Sequence, residues 1–113
     1  IVEKQYRTSL KHGFETDRGR VYLQYGPPSS FIIENNEADA YPYEIWNYFK
    51  IGDQTNKKFI FYNKSLVEND YILLNSTLKG ETSNSLWNQE LYSKLGTSVN
   101  SNHNKARELF EEK

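Results

Sequence analysis

The chain has 113 residues, with 14 basic and 15 acidic side chains, a formal net charge of −1 and no cysteine. This length predicts a single domain, and the near-zero charge argues against a nucleic-acid binder or a protein held on an anionic membrane. Without cysteine there is no disulfide, no thiolate nucleophile and no zinc site with cysteine ligands. Hydrophobic residues make up only 36% of the chain, but 2 Trp, 9 Tyr and 6 Phe supply large rings that can build a core.

The chain also lacks methionine, and we therefore expect it to be a processed or trimmed piece of a longer protein. No segment approaches the roughly 20 consecutive apolar residues that a membrane-spanning helix needs. We therefore predict that this segment does not insert into a membrane.

The N-terminal part of the chain predicts a helix followed by a strand. Apolar residues recur every four positions in residues 1–11, which predicts a short helix that ends at Gly13. Apolar and polar side chains then alternate over residues 20–25, which predicts a half-buried strand. The Gly-Pro-Pro sequence at residues 26–28 ends that strand, because proline cannot donate to a strand ladder.

The middle of the chain predicts an antiparallel sheet. Strand-like segments occupy residues 30–34, 43–51, 58–62 and 71–74, and short polar turns separate them. Successive strands joined by short turns are typical of a meander. With or without residues 20–25, the sequence therefore predicts four or five antiparallel strands.

The C-terminal part of the chain returns to helical spacing. Residues 85–95 carry Trp87, Leu91 and Leu95 four apart, which predicts an amphipathic helix that Gly96 ends. We expect a polar loop over residues 97–104 and a second helix over residues 105–113.

These elements together predict an α+β fold. An N-terminal helix precedes the meander sheet, and two C-terminal helices pack on one face, which leaves the other face partly exposed. We assign residues 1–96 to a single α+β domain and residues 97–113 to a polar loop and C-terminal helix, either the end of the domain or a connector.

One segment carries a recognisable signature. It reads Gly13-Phe14-Glu15-Thr16-Asp17-Arg18-Gly19-Arg20-Val21-Tyr22 and continues into Tyr25-Gly26-Pro27-Pro28. It resembles the GWxTD domain, named for Gly-Trp-x-Thr-Asp, in which an Arg-Gly-x-Val/Ile strand and a Tyr-Gly-Pro-Pro turn follow. The resemblance extends over residues 2–92, and Phe14 stands where the signature has tryptophan, so a ring is kept and an indole N–H is lost.

The resemblance implies a setting but no reaction. Domains of this family occur mostly in longer exported proteins of Bacteroidota and related bacteria, which implies a periplasmic or cell-envelope location. The partners implied are other domains of the same longer protein or another envelope protein, with no cofactor and no nucleic acid. The signature residues expected to hold the fold are Gly13, Phe14, Thr16, Asp17, Gly19, Tyr25, Gly26, Pro27, Pro28 and Glu44.

The charged residues of the motif have two interpretations. In a structural corner, Thr16 and Asp17 accept backbone N–H bonds, Gly19 takes a positive φ, and the two arginines pair with nearby carboxylates. The carboxylates within reach are Glu15, Asp17 and Glu44. In a ligand site, an anion or glycan binds among four residues, namely Arg18, Arg20, Trp46 and Tyr48.

Catalytic and metal sites find little support in the sequence. Neither His12 nor His103 neighbours a nucleophile, and the pattern Gly-x-Ser-x-Gly is absent. A carboxylate pair for glycoside chemistry is conceivable among the three acids of the motif, but salt bridges to the arginines explain them more simply. The acidic residues 34–39 do not match an EF-hand calcium loop. We therefore predict no catalytic residue, no metal site and no cofactor.

Two surfaces are candidates for binding. Tyr22, Trp46, Tyr48 and Tyr62 could share one sheet face and stack on sugars or a partner, unless helices cover them as core. The segment Phe31-Ile32-Ile33 could form an exposed edge strand open to a partner strand. The first hypothesis is therefore a non-catalytic module for protein interaction or assembly. The alternative is a ligand-binding or enzymatic domain with an anionic or glycan ligand near Arg18, Arg20 and Trp46.

Overall fold

The computed structural model describes residues 1–94 and 105–111 of the chain. Within these residues, one antiparallel sheet holds four strands in the spatial order β1-β2-β3-β4. The strands are β1 (Ser30–Glu34), β2 (Tyr43–Ile51), β3 (Gln54–Tyr62) and β4 (Ile72–Ser76). Every strand pairs with its neighbour in sequence, so the predicted α+β fold and meander are confirmed.

Helical segments flank the sheet at both ends of the chain. They are α1 (Val2–Tyr6), a 3₁₀ turn (Gly13–Glu15), α2 (Asp17–Tyr25), α3 (Trp87–Leu91) and α4 (Lys105–Glu111). The first predicted helix is shorter than expected, and Gly13 begins the 3₁₀ turn instead of ending a helix. The helix predicted over residues 85–95 is likewise reduced to α3. The predicted stop at Gly96 and the loop over residues 97–104 lie outside the described residues.

The strand predicted over residues 20–25 is wrong, because these residues belong to helix α2. The alternation of Val21, Leu23 and Tyr25 suggested a strand, but Leu23 is 62% exposed. The buried stripe instead begins at Arg18 and continues through Val21 at helical spacing. Gly26 then ends the helix with a positive φ of 86°.

Both faces of the sheet are covered by helices, so the molecule has three layers where the sequence predicted two. Trp46 and Phe59 face α1 and α2, in a cluster with Val2, Tyr6 and Val21. The opposite face packs on the C-terminal helices, which share one side of the sheet as predicted. Its core includes Ile45, Ile60, Trp87, Leu91 and Phe110.

The four aromatic residues expected on one face are divided between the two layers. Tyr22 belongs to α2 and packs on the cluster that holds Trp46 and Tyr48, whereas Tyr62 lies in the cluster on the other face. Alternation along β3 explains the difference, since Tyr62 follows Phe61 and therefore points to the opposite side. Trp46 and Tyr48 are only 2% and 3% exposed. These rings are core, as the simpler interpretation held.

Candidate functional site

The motif at residues 13–20 forms a closed corner ahead of the sheet. The Thr16 hydroxyl donates to the backbone oxygen of Gly13 at 2.7 Å, and its oxygen accepts from the amide of Gly19 at 3.0 Å. Thr16 thereby caps the N-terminus of α2, where the sequence predicted a turn and no helix. Its side chain is buried.

The two glycines of the motif are required by close approach. A Cβ built on Gly19 would lie 1.8 Å from the backbone oxygen of Gly13, and one built on Gly13 would lie 2.2 Å from that of Val2. The expectation that Gly19 takes a positive φ is wrong, because it lies inside α2 in the helical conformation. Its lack of a side chain lets α2 pack directly on the 3₁₀ turn.

Asp17 joins the corner to β4, which lies at the opposite edge of the sheet from β1. Its carboxylate accepts from the amide of Leu73 in β4 at 2.6 Å. This bond holds the start of α2 against a strand that lies 56 residues later in the chain. Asp17 thus accepts a backbone N–H, as expected, but from a distant strand and not from its own turn.

Arg18 is buried beneath the corner and pairs with Glu44 of β2. Its Nη1 donates to Glu44 Oε2 at 2.8 Å, and its Nη2 donates to the side-chain and backbone oxygens of Asn69 at 2.6 and 2.9 Å. The other oxygen of Glu44 accepts from the indole N–H of Trp46 at 3.1 Å. The side chains of Arg18 and Glu44 are 5% and 11% exposed. The pair is therefore removed from water.

Two tyrosine rings enclose the guanidinium of Arg18. Its Cζ lies 5.0 Å from the ring centre of Tyr6 and 4.4 Å from that of Tyr71. Burial raises the pKa of both tyrosines, so they remain neutral rings that stabilise the cation through their π faces. Of the three guanidinium nitrogens of Arg18, Nη1 and Nη2 have hydrogen-bond partners within the described residues, whereas the buried Nε has none.

A groove of about 400 Å³ lies between this pair and the first strand. Arg18, Glu44 and Trp46 reach its floor, and Tyr22 with Phe31 and other side chains forms its walls. Four residues were predicted to contact a ligand. Arg18 and Trp46 line the groove, whereas Arg20 and Tyr48 do not. Because Arg18 and Glu44 already satisfy each other, the groove offers a ligand apolar and aromatic surface with little free charge.

Arg20 lies in a separate polar cluster. Its guanidinium binds Glu81 through two bonds of 2.7 and 3.0 Å, and the Tyr25 hydroxyl donates to the same carboxylate at 2.5 Å. The bonds from Arg20 hold the pKa of Glu81 below its usual value, while desolvation and the neighbouring carboxylate raise the pKa of Tyr25 to about 12. The sequence did not predict Glu81 as the partner of Arg20.

Tyr48 links two elements of the fold, and Phe14 lies on the surface of the domain. The Tyr48 hydroxyl donates to the backbone oxygen of Gly26 at 2.8 Å, which ties β2 to the end of α2. Phe14 is 59% exposed and stacks on His12 with the ring centres 5.6 Å apart. The ring at the signature position is therefore on the surface, next to His12.

The acidic segment at residues 34–39 is engaged by neighbouring groups. Glu34 pairs with Lys105 of α4, which lowers its pKa, and Glu37 accepts from the hydroxyls of Tyr43 and Tyr92. Among the residues that the structure describes, no three side chains of His, Asp or Glu gather into a possible metal site. His103 lies outside the described residues.

Comparison with known families decides the identity of the chain. The family model described as the GWxTD domain matches residues 2–93. The chain belongs to the GWxTD domain family. Comparison with curated proteins and with solved structures finds no match.

The match covers the corner at residues 13–20, which contains the motif for which the GWxTD domain is named. Thr16 and Asp17 of the signature cap α2 and bind β4, respectively, and Gly13 packs closely on α1, whereas Phe14 lies on the surface. Sequence reasoning missed Asn69, Glu81 and Tyr71, which complete the surroundings of the two arginines. Asn69 offered one signal, since asparagine in a polar turn tolerates the positive φ of 65° that it adopts.

No helix in the described part of the domain is long and apolar enough to cross a membrane. The surface feature that stands out is the outer strand β1, where Phe31, Ile32 and Ile33 are 59%, 39% and 52% exposed.

Proposed function

We propose that this GWxTD domain is a non-catalytic module of a larger bacterial envelope protein and that it mediates protein interaction or assembly. The observation that carries the proposal is the outer strand β1, which presents three exposed large apolar side chains on an edge that pairs with no other strand in the described part of the chain. The periplasmic or envelope setting rests on the family resemblance.

An unprotected edge strand favours a partner strand. Proteins usually shield such edges with lysine, proline or a bulge, since the unpaired N–H and C=O groups otherwise recruit other chains. The five residues of β1 include neither lysine nor proline, and its pairing with β2 is regular over the whole strand. An extended segment can therefore add to the sheet through main-chain hydrogen bonds.

The distribution of charge argues against a catalytic role for the motif. The Arg18 cation is met by Glu44 and Asn69, and the Arg20 cation by Glu81. These charges are used to hold secondary structure elements together. Neither arginine presents an unpaired charge to a substrate.

A second candidate function follows from the groove beside β1. Its volume of about 400 Å³ and its aromatic walls suit a glycan near Arg18 and Trp46, whereas the pairing of Arg18 with Glu44 does not favour an anionic ligand. Such a ligand would stabilise the native state in proportion to its concentration. A thermal-shift panel of glycans, peptidoglycan fragments, nucleotides and divalent metals tests this alternative.

Site-specific crosslinking in the producing cell tests the proposal. A photoreactive residue placed at Ile33 lies on the β1 edge, and one placed at Leu23 lies on α2 and is somewhat more exposed. We expect protein adducts at position 33 well above those at position 23. Equal adduct yields at the two positions, or concentration-dependent stabilisation by a small ligand without adducts at position 33, would contradict the proposal.

A further inference from the structure

We propose that the partner at the β1 edge is a second copy of this chain. The two β1 strands pair antiparallel about a two-fold axis at Ile32, and the two four-stranded sheets join into one sheet of eight strands. This inference rests on the proposed function, since it names the partner for the same edge.

The sequence of β1 is complementary to itself in this register. Ile32 lies opposite Ile32 of the second copy, and Phe31 lies opposite Ile33 on both sides of the axis. Directly opposite side chains share a face of the sheet, so all three central pairs join apolar to apolar. At the ends, Ser30 lies opposite Glu34, and no two like charges face each other.

The carboxylate at the end of the strand does not oppose the pairing. Glu34 is bound by Lys105 from α4 of its own copy, so its charge is balanced before any partner arrives. The side chain of Glu34 is 16% exposed. A second copy therefore meets an edge without net charge.

The backbone also suits this register. In an antiparallel ladder, opposite residues form alternately a hydrogen-bonded and a non-hydrogen-bonded pair. The two residues of every pair about Ile32 are an even number of positions apart in the sequence. Their backbone N–H and C=O groups therefore point to the same side of β1, and where they point away from β2 they meet the corresponding groups of the second copy. The pairing needs no bulge and no shift of β1 on β2.

On each face of the joined sheet, the second copy places its apolar β1 side chains next to those of the first copy. Phe31 and Ile33 line the groove beside α1 and α2, and the axis places the same residues of the second copy next to them. On the other side, Ile32 lies near Leu109 of α4 in a second groove of about 270 Å³. Association therefore covers exposed apolar side chains that no described residue of one copy covers alone.

The size of the contact sets the expected affinity. A pair of five-residue strands lies at the small end of specific interfaces, below about 1,200 Å² of buried surface. We therefore expect a dissociation constant between about 1 µM and about 1 mM. The mean mass by sedimentation should rise from one copy toward two across that range.

Opposite charges at the axis test the register. Ile32→Lys places two ammonium groups opposite each other, and Ile32→Glu places two carboxylates there. We expect each variant alone to remain monomeric and an equal mixture of the two to associate at least as strongly as the wild type. Leu23→Lys, at a more exposed site on α2, should associate like the wild type. Thermal melts of all variants verify that each is folded.

Disulfide trapping gives an independent measurement. Because the chain has no cysteine, Ile32→Cys introduces a single thiol that meets its counterpart at the axis. We expect covalent dimers to form at least about tenfold faster than with Leu23→Cys, since proximity at the axis raises the effective concentration. Equal rates would contradict the register.

The outcomes separate this inference from the proposed function. A wild-type chain that stays monomeric up to about 1 mM, or an Ile32→Lys variant that associates as well as the wild type, overturns the second copy as partner. If crosslinks from position 33 to another protein persist in that case, the proposed function stands. If they are absent too, both fail.

Discussion

The motif corner and the β1 edge differ in how their side chains are satisfied. In the corner, Thr16, Asp17 and Arg18 each bind a partner within the chain, and little of them reaches solvent. At the edge, Phe31 and Ile33 are more than half exposed and the outer side of the strand is unpaired. The residues with the most chemical character are therefore structural, and the most exposed apolar strand is the candidate for binding.

This difference shows why residue type alone misleads about function. An arginine beside a tryptophan suggests an anion site until the carboxylate that neutralises it is located. Glu44 does so for Arg18 and also accepts from Trp46, so one acid fixes both. Breaking the corner should therefore cost stability.

The largest expected effect is that of Glu44→Ala. It leaves the buried Arg18 cation without its counter-charge, which should lower the free energy of unfolding by about 3–5 kcal/mol. Urea unfolding at pH 7 measures the loss. Glu68→Ala removes an exposed carboxylate of the same kind and should change stability by less than about 0.5 kcal/mol. Similar losses in the two variants would mean that the Arg18 pair does not hold the corner.

Gly19→Ala should be nearly as damaging. Its methyl group would meet the Gly13 backbone oxygen at 1.8 Å, and the shift needed to relieve this contact should cost about 2–3 kcal/mol. At an open position inside a helix the same change would stabilise by about 0.5–1 kcal/mol, so the sign of the effect is informative. A thermal melt that shows a stabilised variant would contradict the close packing of α2 on the 3₁₀ turn.

Asp17→Ala should have an intermediate effect. It removes the acceptor of the Leu73 amide and an acidic residue from the first turn of α2, which should cost about 1–3 kcal/mol. Asp17→Asn keeps an oxygen at the same place and should lose less. If Asp17→Ala melts at the wild-type temperature, the structural interpretation of the motif is wrong and a ligand role gains support.

The smallest expected effect concerns Glu81 and depends on pH. Since Arg20 lowers the pKa of Glu81 in the folded state, the pair stabilises the fold above the ordinary value of 4.5 and loses this contribution as the pH falls through the folded pKa. Glu81→Gln should be less stable than the wild type by about 1 kcal/mol at pH 7. The gap should narrow below about pH 4.5 in unfolding curves. A gap that is the same at pH 7 and pH 3 would contradict the charge pairing.

The sheet could be predicted from the sequence because its signals are local. Alternation along residues 43–51 and short turns of glycine and asparagine fix strands and their order without knowledge of distant contacts. Helix α2 was mistaken for a strand because Val21, Leu23 and Tyr25 also alternate. Thr16, directly before α2, is a residue type that commonly caps helices, and this signal outweighs the alternation.

The candidate site was only partly predictable, because its contacts span the chain. The pairing of Arg18 with Glu44 was one of several charge pairs that the sequence allowed. Asn69 and Glu81 lie 51 and 61 residues from the arginines they bind, and nothing local marks them as partners. The exposed edge at β1 was foreseen as a possibility, but its exposure depends on how the helices cover the two faces.

The most direct test of the claim that a second copy binds at β1 and not at the corner is a concentration series of the ¹⁵N-labelled chain, followed by amide chemical shifts. The account predicts concentration-dependent shifts at residues 30–34 and their neighbours across the sheet, with residues 13–20 unchanged. Shifts centred on residues 13–20, or none up to about 1 mM, would contradict it.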